Sequence, residues 1–217
     1  LSYRAQLRGW RFVFLPGHVA PAELPVEMNA FKSQQHRWAK GSIQTFLKLM
    51  PQILQSDQSL KVKTEAFFHL SANFNYPLMC VLSVLMAPSM IIRYNMGWYE
   101  MLLIDIPLFL AATASVANFY MVCQRELYPQ SWTERLRYLP ILMSIGIGLA
   151  VNNTKAVLEA IFHKPSEFKR TPKYRIEGGG GEWMGKKYRQ AVAIQPLVEL
   201  GLGLYFTGTL FYALANG

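Results

Sequence analysis

The sequence has few charged residues for its length. Charged side chains make up 16% of its 217 residues, and 52% of the residues are hydrophobic. Soluble domains carry a charged share of about 25%. This deficit argues against a chain that is surrounded only by water and indicates segments in contact with lipid.

Cysteine is nearly absent. Cys80 and Cys123 both lie in long apolar runs, where a cysteine behaves as a small hydrophobic side chain. We therefore expect neither a disulfide nor a cysteine-ligated metal site. The sequence also has no initiator methionine, signal peptide or presequence, and it opens as if inside a structural element, so we expect a fragment.

Acidic residues are outnumbered by basic ones, 13 to 22, and the net charge is +9. Such a surplus attracts nucleic acid, anionic lipid headgroups or a phosphorylated substrate. The basic residues flank apolar runs and do not form one patch interleaved with aromatic residues. This pattern favours lipid and a phosphorylated substrate over nucleic acid.

Three apolar runs are long enough to cross a bilayer, which takes about 20 helical residues. These runs are residues 74–92, 101–123 and 193–213. A fourth run, residues 138–151, is short, and we predict that it is interfacial or re-entrant, with a four-span topology as the alternative. The bias of basic residues toward the cytoplasm places residues 124–137 and 152–190 on that side.

One carboxylate, Asp105, lies inside the second run. An intramembrane carboxylate is a candidate functional residue. Asp105 is, however, only a few residues from the start of the predicted helix. Placement at the headgroups or pairing with Arg93 therefore explains it without a functional role.

The remaining segments are predicted to lie outside the hydrocarbon. Residues 1–8 are predicted to end a helix, and residues 10–15 to form a short buried strand. A longer helix is predicted to begin near Glu27 and to stop at Pro51. Residues 60–70 are predicted to form an amphipathic helix that lies flat at the interface.

The longer helix carries Gln34, Arg37 and Trp38 at positions i, i+3 and i+4, which lie on one face. Gly41, at i+7, lies on the same face and has no side chain, so it leaves a gap there. A guanidinium matches phosphate oxygens, an amide bonds hydroxyls, and an indole stacks on a sugar ring, so the set suits a sugar nucleotide and a glycan. The alternative is an interfacial helix with an anchoring Trp and a snorkelling Arg. His36 projects to the opposite side and is predicted to be solvated or packed, not catalytic.

A second motif, formed by Phe168, Thr171 and Lys173, lies in the basic loop. A threonine hydroxyl and a lysine ammonium can hold a pyrophosphate together, and a phenylalanine can cover a base or sugar. The alternative is a solvated basic loop that faces anionic lipid. Four glycines, residues 178–181, follow it as a hinge or a flexible linker.

The sequence Gln-Gln-His-Arg-Trp at residues 34–38, preceded by Glu-Leu-Pro at residues 23–25, closely resembles the Q-x-x-R-W region of family 2 membrane glycosyltransferases. These are the cellulose synthase-like and mannan synthase-like polymerases. The form found here looks more like the mannan synthase-like and uncharacterised bacterial branches than like bacterial cellulose synthase itself. The second motif resembles their F-x-V-T-x-K gating loop at three of its four fixed positions, and Arg170 stands where valine is usual.

The resemblance implies the carboxy-terminal part of an inverting, processive β-glycan synthase in the plasma (inner) membrane, with its active site on the cytoplasmic face. The donor would be a UDP- or GDP-sugar, and the acceptor a growing glycan. Arg37 and Gln34 would be catalytic, Trp38 would bind the acceptor, and the second motif would close over the nucleotide. The catalytic carboxylate and the ligands of a divalent metal, Mg or Mn, would lie before residue 1.

Together these expectations describe a mainly α fold: a multi-span helical membrane region with amphipathic interfacial helices, preceded by the last helix-strand piece of an α/β glycosyltransferase domain. The expected divisions are residues 1–25 (end of that domain), 26–72 (interfacial helices with the Q-x-x-R-W motif), 73–123 (transmembrane hairpin), 124–192 (cytoplasmic or interfacial segment and gating-like loop) and 193–217 (final transmembrane helix).

Two other functions fit parts of the sequence. A non-processive glycosyltransferase that acts on a lipid acceptor would use the same Trp38 face, and product length separates it from a polymerase. A transporter or channel subunit would instead line a path with intramembrane polar residues. Only Asp105 and a few asparagines qualify for such a path.

Overall fold

The structure, a computed structural model, describes residues 2–15, 17–20, 22–97, 102–165 and 195–216. Within these ranges the chain forms helices and no strand, which confirms the mainly α class. The helices are α1 (Ser2–Gln6), α2 (Met28–Gln55), α3 (Leu60–Ser71), a 3-10 turn (Ala72–Phe74), α4 (Asn75–Met96), α5 (Leu102–Leu127), α6 (Trp132–Leu136), α7 (Leu139–Gly148), α8 (Ala150–Ile161) and α9 (Gln195–Asn216).

The chain divides into two compact units. One comprises Leu1–Met79 together with Val151–Gly217, and the other comprises Cys80–Ala150. The first unit contains α2 and therefore the Gln34, Arg37 and Trp38 face. The second contains most of α4 and the whole of α5, α6 and α7.

The predicted buried strand at residues 10–15 is wrong. These residues have no regular secondary structure, and the side chains of Trp10 and Phe14 are 70% and 87% exposed. A strand needs a neighbouring strand to satisfy its N–H and C=O groups, and the described part of the chain provides none. The preceding helix does form, and it is followed by Gly9 in the left-handed conformation (φ 85°), as is usual just beyond a helix end.

The longest helix, α2, packs its carboxy-terminal half against α3. Leu49, Met50 and Ile53 of α2 form a buried cluster with Ala66 and Leu70 of α3. The stretch predicted as an amphipathic helix is therefore helical, and its apolar side is used at least partly against protein. Whether α3 also lies flat on a bilayer stays a prediction.

The predicted stop of α2 at Pro51 is wrong, because the helix continues to Gln55. A proline inside a helix removes one N–H donor and crowds the preceding turn. Burial of Leu49, Met50 and Ile53 on both sides of Pro51 offsets this cost. Tertiary packing thus overrides a local stop signal.

The amino-terminal half of α2 packs against α8. Ile43 of α2 and Val157 of α8 are fully buried, and Ala160 completes their cluster, with Phe74 packed against it. Phe46, one turn after Ile43, makes an edge-to-face contact with Phe74 at 5.7 Å between ring centroids. The contact of Ile43 with Val157 brings α2 beside a helix more than a hundred residues away in the sequence.

Among the described residues, three helices are long and apolar enough to cross a membrane, namely Leu60–Met96, Leu103–Leu127 and Gln195–Asn216. Each overlaps one of the three predicted spans. The first also includes α3, which continues through the 3-10 turn into α4. The stretches Trp132–Gly148 and Ala150–Ile161 pass the same test only when taken together as a broken pair, so the four-span alternative stands beside the three-span count.

In the second unit, Arg93 near the end of α4 forms an ion pair with Asp105 in the first turn of α5. The predicted pairing is confirmed. Because its charge is matched by Arg93, Asp105 needs no functional explanation. The two cysteines, Cys80 and Cys123, form no disulfide.

The contact between α2 and α8 yields a test of stability. Ile43→Ala leaves a cavity in a fully buried cluster, and we expect it to lower the free energy of unfolding by about 2–5 kcal/mol. Leu54→Ala, at an exposed position of the same helix, is the matched control and should cost much less. Thermal unfolding in detergent measures both. Equal losses would show that the cluster around Ile43 does not hold α2 in place.

Candidate functional site

The candidate site is the face of α2 that carries Gln34, Arg37 and Trp38. The predicted helix forms there, so the three side chains share one face at i, i+3 and i+4. Trp38 is 60% exposed, while Gln34 and Arg37 are half-buried. A Cβ built at Gly41 would meet nothing within 4 Å outside its own turn, so the predicted gap at i+7 is open.

The opposite face of α2 is docked on protein through Lys32, His36 and Lys40, which recur at i, i+4 and i+8. At about 100° per residue, this stripe lies roughly half a turn from the midpoint of the candidate face. Its contacts are with α8, α9 and Lys164, the third residue after α8. One side of α2 therefore contacts protein, while on the other side Trp38 is exposed and Gln34 and Arg37 are half-buried.

Lys40 makes the most enclosed of these contacts. It is only 4% exposed, and its Nζ donates to Glu159 Oε2 of α8 at 3.1 Å and to the backbone carbonyl of Lys164 at 2.8 Å. A buried ammonium is tolerated only when it is paired and hydrogen-bonded. Between these acceptors lies His163, whose φ of 52° is left-handed and costs a non-glycine residue about 1–2 kcal/mol.

His36 lies beside the same carboxylate. Its Nε2 is 3.3 Å from Glu159 Oε2, so the prediction that His36 is packed away from the candidate face is confirmed. Burial lowers the pKa of the His36 imidazole below its ordinary value of 6.5, and the positive charges of Lys155, Lys40 and Arg37 add to this, while Glu159 opposes it. Burial therefore favours the neutral form of the imidazole over the charged form.

At the amino-terminal end of the stripe, Lys32 joins α2 to α9. Its Nζ lies 2.5 Å from Glu199 Oε2, and its backbone carbonyl accepts a bond of 2.9 Å from the buried amide of Asn152 in α8. Gln195 Nε2 donates both to Asn152 Oδ1 at 3.2 Å and to Glu199 Oε1 at 2.9 Å. These residues link three helices through one polar network.

Sequence reasoning missed this network. None of Lys32, Lys40, Glu159 and Glu199 is singled out by the sequence analysis. The available signal is the i, i+4, i+8 recurrence of basic side chains opposite the Trp38 face, together with two carboxylates and a pair of asparagines in otherwise apolar helices. That signal alone does not say which carboxylate meets which lysine.

Two clefts elsewhere are lined by other residues. One, of about 410 Å³, lies among α5, α6 and α7 and includes Arg135 and Tyr138. The other, of about 570 Å³, lies between α1, the segment after it and α3, and includes Trp10. Neither cleft is lined by Gln34, Arg37 or Trp38.

The three residues of the second motif, Phe168, Thr171 and Lys173, lie outside the described residues, so their predicted roles stay predictions. Among the residues that the structure does describe, no three His, Cys, Asp or Glu side chains come together in a way that could hold a metal ion. A divalent cation therefore has no fitting ligand set in these ranges.

The sequence is 38% identical over 74 residues to glucomannan 4-beta-mannosyltransferase 1 of Oryza sativa subsp. japonica, a match that covers 34% of this chain and 14% of the rice protein. It is 43% identical over 56 residues to probable glucomannan 4-beta-mannosyltransferase 10 of Arabidopsis thaliana. It is 41% identical over 56 residues to glucomannan 4-beta-mannosyltransferase 2 of the same plant. Each Arabidopsis match covers 26% of this chain and 10% of the relative.

These matches confirm the resemblance to mannan synthase-like family 2 glycosyltransferases, over a partial region that spans at most 14% of the length of these three relatives. No protein-family model matches the chain. No solved structure matches it either.

The lowered pKa of His36 predicts a pH dependence of stability. Because the unfolded imidazole binds a proton more readily than the folded one, stability is fully present above pH 6.5 and falls as the pH drops below that value. His36→Gln should flatten this part of the curve. Thermal unfolding midpoints between pH 5 and 8 measure it, with His18→Gln at an exposed position as the control. A curve that His36→Gln leaves unchanged would contradict the assignment.

Proposed function

We propose that the chain is part of a membrane-embedded inverting glycosyltransferase that polymerises a β-linked polysaccharide from a nucleotide-diphosphate sugar and feeds the product into a membrane channel. The observation that carries the proposal is the outward face of α2, which sets an exposed indole beside a guanidinium and an amide on a helix anchored from behind. The similarity to glucomannan mannosyltransferases and the three candidate spans support it.

In the proposed reaction, an acceptor hydroxyl attacks the anomeric carbon of the donor sugar. The new C–O bond forms as the bond to the diphosphate breaks, and the nucleoside diphosphate leaves with that electron pair. Arg37 stabilises the charge that develops on the leaving diphosphate, because a preorganised cation is most effective where charge appears in the transition state. The acceptor proton passes to a carboxylate base, which by analogy with the family lies before residue 1.

Trp38 stacks on the terminal sugar of the acceptor and Gln34 bonds its hydroxyls or those of the donor. Holding both reactants in one geometry converts a bimolecular encounter into an effectively unimolecular step. Thr171 and Lys173 contact the diphosphate and Phe168 covers the nucleotide. The relatives' names, glucomannan 4-beta-mannosyltransferases, favour a mannosyl donor. We propose that GDP or UDP carries the donor sugar and that the product is of the glucan or mannan type.

A divalent cation, Mg or Mn, would supply further positive charge to the diphosphate in the complete enzyme. Since the described residues offer no ligand cluster for it, no step is assigned to it here. The protein is proposed to lie in the plasma (inner) membrane with the α2 face in the cytoplasm, where nucleotide sugars are available.

In this structure, the principal polar residues that could line the path of a transporter are bonded to other protein groups. Asp105 is paired with Arg93, and the buried Asn152 bonds to Lys32, Asn153 and Gln195 in the network behind α2. Both polar side chains have protein partners, which argues against a path lined by them. A non-processive transferase uses the same α2 face, and chain-length analysis of the product distinguishes it from the polymerase.

The indole of Trp38 gives the sharpest test. In the full-length protein, Trp38→Ala should abolish polymer formation, with a loss of about a hundredfold or more, because the acceptor is no longer held in register. Incorporation of labelled sugar into polymer by membranes measures it. Trp132→Ala in α6 is the control and should retain activity. Wild-type levels of product from Trp38→Ala would refute the assignment and favour the transporter.

The topology has its own test. Cysteines introduced at Lys173 and at the exposed Lys48 of α2, in a background without Cys80 and Cys123, should both react with an impermeant maleimide only from the cytoplasmic side. Both positions must share one compartment if the second motif and the α2 face serve one site. Labelling from opposite sides would separate them by the bilayer and end the proposal.

A further inference from the structure

The docked side of α2 is held by two carboxylates from different helices. Glu159 of α8 accepts from Lys40, and Glu199 of α9 accepts from Lys32. The two lysines are eight residues apart, which is about 12 Å along a helix. Two attachments at that separation restrain the axial position of α2 as well as its rotation.

These attachments are partly shielded from water, the one of Lys40 more than the one of Lys32. Lys40 has a side chain that is 5% exposed, and Glu159, Lys32 and Glu199 have side chains that are 19%, 21% and 24% exposed. Shielded ion pairs are more directional and more sensitive to loss of one partner than surface pairs are. A turn of α2 by one residue would move every one of these contacts by about 100° and leave charges unpaired.

Two residues that lie on either side of residues 166–194 in the sequence, Lys164 and Gln195, take part in the same network. Lys164 precedes that stretch, and its carbonyl accepts from Lys40. Gln195 follows it, and its amide donates to Asn152 and Glu199. The network behind α2 therefore includes one described residue before that stretch and one after it.

We infer that Glu159 and Glu199 are positioning residues of this enzyme, which set the rotation and register of α2 and so the direction in which Trp38 and Arg37 face the reactants. This inference rests on the proposed function. Neither carboxylate touches the candidate face, and each acts through a lysine on the other side of the helix. Their loss should therefore impair the chemical step more than the binding of the nucleotide sugar.

A charge exchange at the Lys32–Glu199 pair tests this in the full-length protein. Lys32→Glu and Glu199→Lys each place like charges together, and each should lower kcat for labelled polymer by about tenfold or more with KM for the donor within about twofold. The double exchange restores an opposite pair and should recover kcat to within about threefold of wild type. Lys61→Glu, an exposed lysine of α3, makes the same charge change as a control and should have no such effect.

Thermal unfolding midpoints of all four variants show whether a loss of kcat occurs in folded protein. Glu159→Gln provides a second, near-isosteric variant, which keeps the shape of the side chain and removes its charge, and it should also lower kcat without raising KM. Additive effects in the double exchange, or single exchanges that keep full kcat in an active protein, would overturn the positioning role alone. Failure of the unaltered full-length protein to make any glycan would overturn the proposed function and, with it, this inference.

Discussion

The arrangement of the first unit depends on the pairing of Lys40 with Glu159. An ammonium that is almost fully removed from water must have a carboxylate and a further acceptor beside it, and α8 with Lys164 supplies both. Once that ion pair has formed, one side of α2 is packed against protein. The side with Gln34 and Trp38 is then necessarily the one that faces outward.

Apolar and polar contacts stabilise the position of α2 in different ways. The cluster of Ile43, Val157 and Ala160 removes apolar surface from water, a favourable effect that has little directionality and would tolerate some rotation of one helix on another. The ion pairs of Lys32 and Lys40 tolerate much less, because their distances and donor directions must be kept. The proposed role of the α2 face, to present an indole and a guanidinium to a ligand, would benefit from this second kind of contact.

Much of the fold follows from local pattern. The three candidate spans follow from the length of their apolar runs, and the shared face of Gln34, Arg37 and Trp38 follows from helical spacing, since both depend only on neighbours in the sequence. Two local signals led to wrong predictions. Aromatic and branched residues at 10–15 resemble a buried strand but lack a partner, and Pro51 resembles a helix stop but lies between residues that α3 buries.

The sequence by itself determined which side chains share a helix face and which segments can cross a bilayer, because periodicity and run length are local properties. Only the tertiary structure decided which face of α2 is buried. In the sequence, Lys32, His36 and Lys40 resemble a solvated basic stripe. They become an anchoring surface because Glu159 and Glu199, 119 residues from Lys40 and 167 residues from Lys32, are brought against them. No local pattern encodes a pairing over such separations, since its free energy exists only once the chain has folded.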